Sequence, residues 1–501
     1  MKTLSFFVLT VSLTLAQTPP AEKPSAPQEN PAQDLEPYLR QFVEVLSAVE
    51  AHSASGVPTE KMVYEGAIPS MLRQLDPHTQ FFDPMQFQQL KQMQDSEQKG
   101  FGSVVSVLPG QVIFLQTFPG TPSNKAGIQA GDELVAINNV AIRSLDPQQI
   151  VEVLTEARQQ KITAFVRRQG FSRVFQFTLT PELVDAPSVD RTFFLAPGYG
   201  YIRVASWDLQ TAKQLHDAIE KLSPDKLKGL VLDLRNNPGG IVKAALDAAS
   251  MFLEPGQRIL TARGRSKEVD SADVPRNAQP YHFALALIVN EKTASASEIL
   301  AGALQDHDRA VIVGEPTYGK GLVQSVMPLS GGAGLAITTA FYYTPSGRTI
   351  QKPLRNSALS ETFAEKRAGP PTYKTDKGRT VTGGGGIQPD ILVSPEPFTP
   401  LEGVLDSSGA VTAFATQYLA NHSPLPEHFE VTADLLDDFK VNLAARNIQP
   451  NVAEWISDQP WIKSRLKEEI VTQARGVDKG DEVLAERDPQ VQAALKALEG
   501  K

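Results

Sequence analysis

Between residues 190 and 395 strand-like and helix-like stretches alternate, and this limits the fold more than any other feature of the chain. Residues 201–204 read as a strand, 210–222 as a helix, and 229–234 as a buried-looking strand. A helix over 241–253, a strand over 283–289, a helix opening at Ser295 and a strand over 310–313 follow. Such a series buries its apolar faces by stacking helices on a sheet, so a layered α/β domain is expected.

The chain has 501 residues, enough for about three domains. At the start, Lys2 precedes a largely apolar run over 4–15, and Thr14-Leu-Ala16 puts small residues where a leader is cut. The run is too short to span a bilayer, and Pro19-Pro20 follow at once. A secretory signal cleaved near Ala16 is therefore expected, and with it export to a cell envelope or periplasm. The absence of cysteine removes disulfides and thiol chemistry, which suits a bacterial envelope. A linker rich in Pro, Ala, Gln and Glu, expected to be disordered, runs over 17–37. Helical spacing of Leu39, Phe42, Val43, Leu46 and Val49, and a second stretch over 62–75, make 38–95 a helical region. Residues 96–182 change texture. Strands over 103–107 and 111–116 flank a Pro109-Gly110 turn, and Asp146-Pro147 caps and opens a helix reaching Arg158. Strands over 162–167 and 174–179 close the segment. The α/β stretch is assigned to 183–395, and 396–501 reads as amphipathic helices without a chemical motif.

Chemistry concentrates in Thr293-Ala-Ser-Ala-Ser-Glu298 and Tyr318-Gly-Lys-Gly-Leu-Val-Gln324. A strand, a turn of small residues and a helix start present Ser295, and the helix dipole there favours negative charge. Ser295-Ala-Ser-Glu298 also fits a capping box, in which the serine serves only the helix. A serine needs a base, and the nearest candidate is Lys320, which must be desolvated to lose its proton. Gln324 is placed to hold that amine. Four residues of straight strand span about 13 Å, however, so the two long side chains must converge or Gly321 must kink. Gly239 and Gly240 sit between a strand and a helix, where backbone N–H groups can hold an oxyanion together with that of Ala296.

Rival chemistries are excluded. His307 is about 18 Å along the helix from Ser295, and His216 and His282 carry no motif. No His-Glu-x-x-His pattern or cysteine cluster points to a metal, and no cofactor is indicated. Gly314-Glu-Pro-Thr-Tyr-Gly-Lys320 imitates a phosphate loop, but Gly321 stands where a hydroxyl is needed and a strand rather than a helix follows. A net charge of −9 argues against nucleic acid as a partner.

In order along 60–395, these segments resemble the carboxy-terminal processing peptidases, also called tail-specific proteases. The resemblance is carried by Leu75-Asp-Pro-His-Thr79, Gly100-Phe-Gly102, Lys125-Ala-Gly127 and Gly131-Asp132. It continues through Leu232-Asp-Leu-Arg-Asn-Asn-Pro-Gly-Gly240, residues 290–306 and 314–324, and Gly386-Ile-Gln-Pro-Asp390. It implies a multidomain α+β chain, in which a crotonase/Clp-like peptidase domain carries a PDZ-like domain and helical ends. It also implies Ser295 as nucleophile, Lys320 as general base and Gln324 as third member, with Gly239, Gly240 and Ala296 forming the oxyanion hole. The substrates would be polypeptides with free C-termini, whose carboxylate meets Gly100, Phe101 and Gly102. The competing expectation is a PDZ scaffold that binds tails without cutting them. The helical ends, 38–95 and 400–501, are candidate dimer contacts, and an adaptor partner is left open.

Overall fold

The computed structural model describes residues 31–94, 97–264, 269–354 and 370–500. The leader expected over 1–16 and the linker over 17–30 lie outside the described residues. The chain divides into two units, Met1–Ile68 and Pro69–Lys501.

In the first unit, helix Pro31–His52 begins inside the stretch expected to be a disordered linker, so that expectation is corrected for 31–37. Proline is tolerated at a first helical position, where its missing N–H has no partner to lose, and Pro37 sits within the helix. Leu39, Phe42 and Val43 keep the expected spacing but remain exposed. A short turn, Thr59–Lys61, continues into a π-helical turn, Met62–Ala67.

The second unit contains two six-stranded sheets and a five-stranded one. One six-stranded sheet is antiparallel. Ser103–Leu108 pairs with Gln111–Thr117, and Ile162–Arg167 lies between Glu133–Ile137 and Val174–Leu179. Helix Pro147–Ala157 is capped by Asp146 as expected, and Ile150 packs into a core with Val112, Phe114, Leu134 and Val166.

The other six-stranded sheet bears out the α/β reading. Tyr199–Val204, Gly229–Asp233, Ala284–Val289, Ala310–Gly314 and Ile391–Leu392 run parallel. The central three, Gly229–Asp233, Ala284–Val289 and Ala310–Gly314, are largely buried on both faces, so their sequences are apolar apart from Asp233. Leu230 and Leu232 face helices Thr211–Lys221, Val242–Ala249 and Ala296–Asp306. Val231 faces the opposite layer, where Val491, Ala494 and Leu498 of helix Pro489–Glu499 close the sheet. This helix thus covers one face of the sheet. Arg235 strengthens the join, donating to Asp233 and to Asp488, the residue that caps this helix.

The five-stranded sheet holds Gly334–Tyr343, against which Leu322–Pro328, Arg258–Gly264 and Gln80–Phe82 all pair. The strand Gln80–Phe82 departs from the helical reading of 38–95. Its pairing with residues 334–336 is long-range, and three residues carry no periodicity of their own. The remaining C-terminal helices, from Pro400–Ser407 to Val477–Ala485, gather around Phe414, Phe439, Trp455, Ile462 and Leu466. Among the described residues no helix is long and apolar enough to cross a membrane.

Candidate active site

Ser295 follows the buried strand Ala284–Val289 and caps helix Ala296–Asp306, at φ 54° and ψ −115°. A non-glycine residue held there stores roughly 1–3 kcal/mol, and such strain persists only where the surroundings impose it. Neighbouring hydroxyls are tied up in structure. Ser297 is fully buried and accepts from the Trp207 indole at 2.8 Å, and buried Thr293 donates to the Leu234 carbonyl at 2.8 Å. Ser295 alone of the three lines a cleft of 570 Å³ shared with Lys320, Gln324, Gly239, Gly240 and His78.

Lys320 donates to Gln324 Oε1 at 2.6 Å. The two side chains do converge, and a β-bulge lies between Val323 and Gln324, where the partners on Gly334–Tyr343 step from Ala340 to Thr338. A bulge re-aims a side chain, here toward the amine. Burial pushes the Lys320 amine below its ordinary value, while the nearby Asp76 and Glu298 charges pull it back up. Desolvation is the condition that a lysine base requires, and it is present.

Glu298 goes beyond its expected capping role. Its Oε2 accepts from the Ser295 N–H at 2.8 Å, as a capping box demands, and from the Lys320 N–H at 2.9 Å. Its Oε1 accepts from Thr317 Oγ1 at 2.5 Å and from the Gly319 N–H at 2.7 Å. The residue is fully buried. Burial raises its pKa, and these hydrogen bonds oppose the rise. Four donors fill the acceptor positions of a carboxylate, so the ionised form fits the site. One side chain therefore ties the serine turn to the lysine loop. The sequence shows only the first of these bonds.

The glycine turn lies against the serine. A Cβ on Gly239 would stand 2.8 Å from Ser295 Cβ and 3.1 Å from the Ala296 nitrogen. The Gly239 N–H already donates to Asn237 Oδ1 at 2.9 Å. The Gly240 and Ala296 N–H groups have no acceptor among the described residues. Of the three expected oxyanion residues, these two have donors free, and Gly239 supplies the close approach. A Cβ on Gly240, at φ +146°, would lie 2.0 Å from the Trp207 carbonyl oxygen. Gly240→Ala is expected to lower kcat about 10²-fold or more, and to lower the thermal midpoint. Gly120→Ala, at φ +78° with nothing within 4 Å, is the control for backbone strain alone. Wild-type turnover in Gly240→Ala would remove this turn from the site.

A second cleft, of 780 Å³, is lined by Gly100, Phe101 and Gly102, by Ser103, Val104 and Val105 of the strand that follows, and by Leu154 and Arg158. It meets the first cleft at Ala186 and Ser206, which line both. Among the described residues no cluster of His, Asp and Glu could hold a metal.

Two family models match, Peptidase family S41 over residues 198–355 and the PDZ domain over 119–168. A carboxy-terminal-processing protease of Bartonella bacilliformis is 31% identical over 64% of this chain and 74% of its own. A carboxyl-terminal-processing protease of Synechocystis is 35% identical over 57% of this chain and 68% of its own. A solved photosystem II D1 C-terminal processing protease is 27% identical, covers 72% of this chain and 96% of its own, and has a TM-score of 0.37. With a PDZ domain preceding an S41 domain, and with identity above 30% across most of a named relative, the chain belongs to the carboxy-terminal-processing proteases and is a serine-type peptidase.

Proposed function

We propose that this peptidase is an exported Ser–Lys endopeptidase that captures the free C-terminal tail of a polypeptide and cuts it through an acyl-enzyme. The observation that carries this reading is the desolvated Lys320 amine held by Gln324 in the same cleft as the strained Ser295. The tail carboxylate would meet N–H groups around Gly100, Phe101 and Gly102, and the tail would add as a strand beside Ser103–Leu108. The wall that Ala186 and Ser206 share gives the chain a short route to the serine. Neutral Lys320 takes the hydroxyl proton as Ser295 attacks. The Gly240 and Ala296 N–H groups receive the developing oxyanion, and protonated Lys320 donates to the leaving amine. Water then attacks the ester, with Lys320 again the base. Export is supported by the leader-like residues 1–16 and the lack of cysteine. Self-association through the helical ends remains part of the proposal, supported by the exposed apolar residues of Pro31–His52.

The test uses residues 17–501 and a small protein carrying an apolar tail. A free carboxylate accepting two or three N–H bonds contributes a few kcal/mol, so amidating the end is expected to lower kcat/KM about 10- to 100-fold. Deleting 100–180 should abolish that preference. Equal cleavage of free and amidated ends would remove the tail-capture step. Retained tail binding with no cleavage would favour the scaffold.

A further inference from the structure

The motif Leu75-Asp-Pro-His-Thr79 has no part in the mechanism above, yet the fold brings it to the rim of the catalytic cleft. We infer that the 76–79 turn is the positioning element of the general base, acting on Lys320 through Gln324. This rests on the Ser–Lys reading. Asp76 is buried, and its carboxylate is spent on the turn itself. Oδ1 accepts from the His78 N–H at 2.7 Å and from the Thr79 N–H at 2.9 Å, and Oδ2 accepts from Thr79 Oγ1 at 2.6 Å. Local bonds of this kind fix an Asx-type turn.

The turn then grips both strands at the bulge. The Gln324 Nε2 group donates to the His78 carbonyl at 2.6 Å. Directly across the register, the Thr338 N–H donates to Thr79 Oγ1 at 3.2 Å. Residues 80–82 continue from the turn as the strand that pairs with the same partner. The contact with His78 decides which way Gln324 faces. A primary amide presents donors at one end and an acceptor at the other, and a carbonyl can take only the donor end. Its Oε1 must therefore point back at the Lys320 amine, where it accepts at 2.6 Å. Without the turn, the amide could flip and set two donors against the amine. The neutral lysine would then lose the hydrogen bond that fixes the direction of its lone pair.

The chemistry of the site thus depends on a segment far away in sequence, which touches neither the serine nor the oxyanion donors in any hydrogen bond. The experiment measures labelling of Ser295 by a fluorophosphonate, together with kcat and KM on a peptide, in Asp76→Ala, Gln324→Ala, the double variant and Lys320→Ala. Misplacing a general base is expected to lower kcat and labelling about 10²-fold in Asp76→Ala, with KM little changed. Because both residues act along one path, the double variant should be no slower than Gln324→Ala, whereas independent effects multiply. Asp76→Asn, which keeps the oxygen that holds both N–H groups, should recover much of the rate. If Asp76→Ala does not fold, Thr79→Val takes its place in the cycle. Multiplicative losses, or a wild-type rate in the single turn variant, would overturn the inference while leaving the Ser–Lys reading intact. Full activity in Lys320→Ala would overturn that reading as well.

Discussion

Ser295→Ala and Lys320→Ala are each expected to lower kcat by at least about 10³-fold, and the double variant by no more than the worse single. In the proposed mechanism the serine supplies the bond-forming oxygen and the lysine removes its proton, so losing either would lose the whole step. Lys320→Arg separates charge from basicity. It keeps a cation and hydrogen-bond donors near Gln324, but a guanidinium does not deprotonate, and it should be as slow as the alanine variant. The same argument fixes the pH dependence. Only the neutral amine can accept a proton, so kcat/KM should rise with pH through the pKa of Lys320 and fall away on the acid side. Burial lowers that pKa, with Asp76 and Glu298 opposing, so the limb belongs below the 10.5 of an ordinary lysine. Burial and the Lys320 charge push the His78 pKa down, with Asp76 opposing. Initial-rate profiles of the wild type and of Lys320→Arg make the comparison. A profile that is flat in the wild type, or an active arginine variant, would mean that another group is the base.

Much of this site was legible in the sequence, for identifiable reasons. The central parallel strands are almost wholly apolar because both their faces are covered, so the alternation with helices stands out even in isolation. The serine turn and the glycine turn each follow such a strand, and local order alone puts them at the same sheet edge. What escaped was set by contacts distant in sequence. The bulge at Val323 and Gln324 depends on register with Thr338, which no local pattern encodes. The covering of the sheet by helix Pro489–Glu499 looks from sequence like one more amphipathic helix. Gly239 illustrates a finer limit. Its backbone N–H seemed available for an oxyanion, but Asn237, two residues earlier, folds its side chain back to accept it. At the other end of the chain, the prolines of 17–37 suggested a linker, and the helix nevertheless begins at Pro31.

Glu298→Ala is expected to damage stability and catalysis together, because this buried carboxylate is the only partner shown for several polar groups around it. Removing it strands the Ser295, Gly319 and Lys320 N–H groups. The Thr317 hydroxyl keeps only its acceptance from the Ile387 N–H. Leaving a buried donor unsatisfied costs about 1–3 kcal/mol, and partial entry of water offsets some of that, so a net loss of roughly 3–5 kcal/mol follows. Glu298→Gln should do little better. A glutamine offers an acceptor to two of the four donors but turns its own N–H groups on the others, replacing attraction by repulsion. Thr317→Val, which removes one donor from Glu298 and the acceptor of the Ile387 N–H, is expected to cost about 1–3 kcal/mol. The catalytic consequence comes from the geometry that Glu298 enforces. The strained backbone of Ser295 and the approach of the Lys320 loop are held together by one oxygen of this side chain, Oε2, which accepts from both N–H groups. Without it, the turn can relax toward an ordinary helix start and the lysine can drift. Urea midpoints and fluorophosphonate labelling of Ser295 should therefore fall together in Glu298→Ala, whereas Thr317→Val should lower the midpoint by less and leave labelling nearly unchanged. A Glu298→Ala protein with a wild-type midpoint and wild-type labelling would show that the serine turn and the lysine loop hold their positions independently.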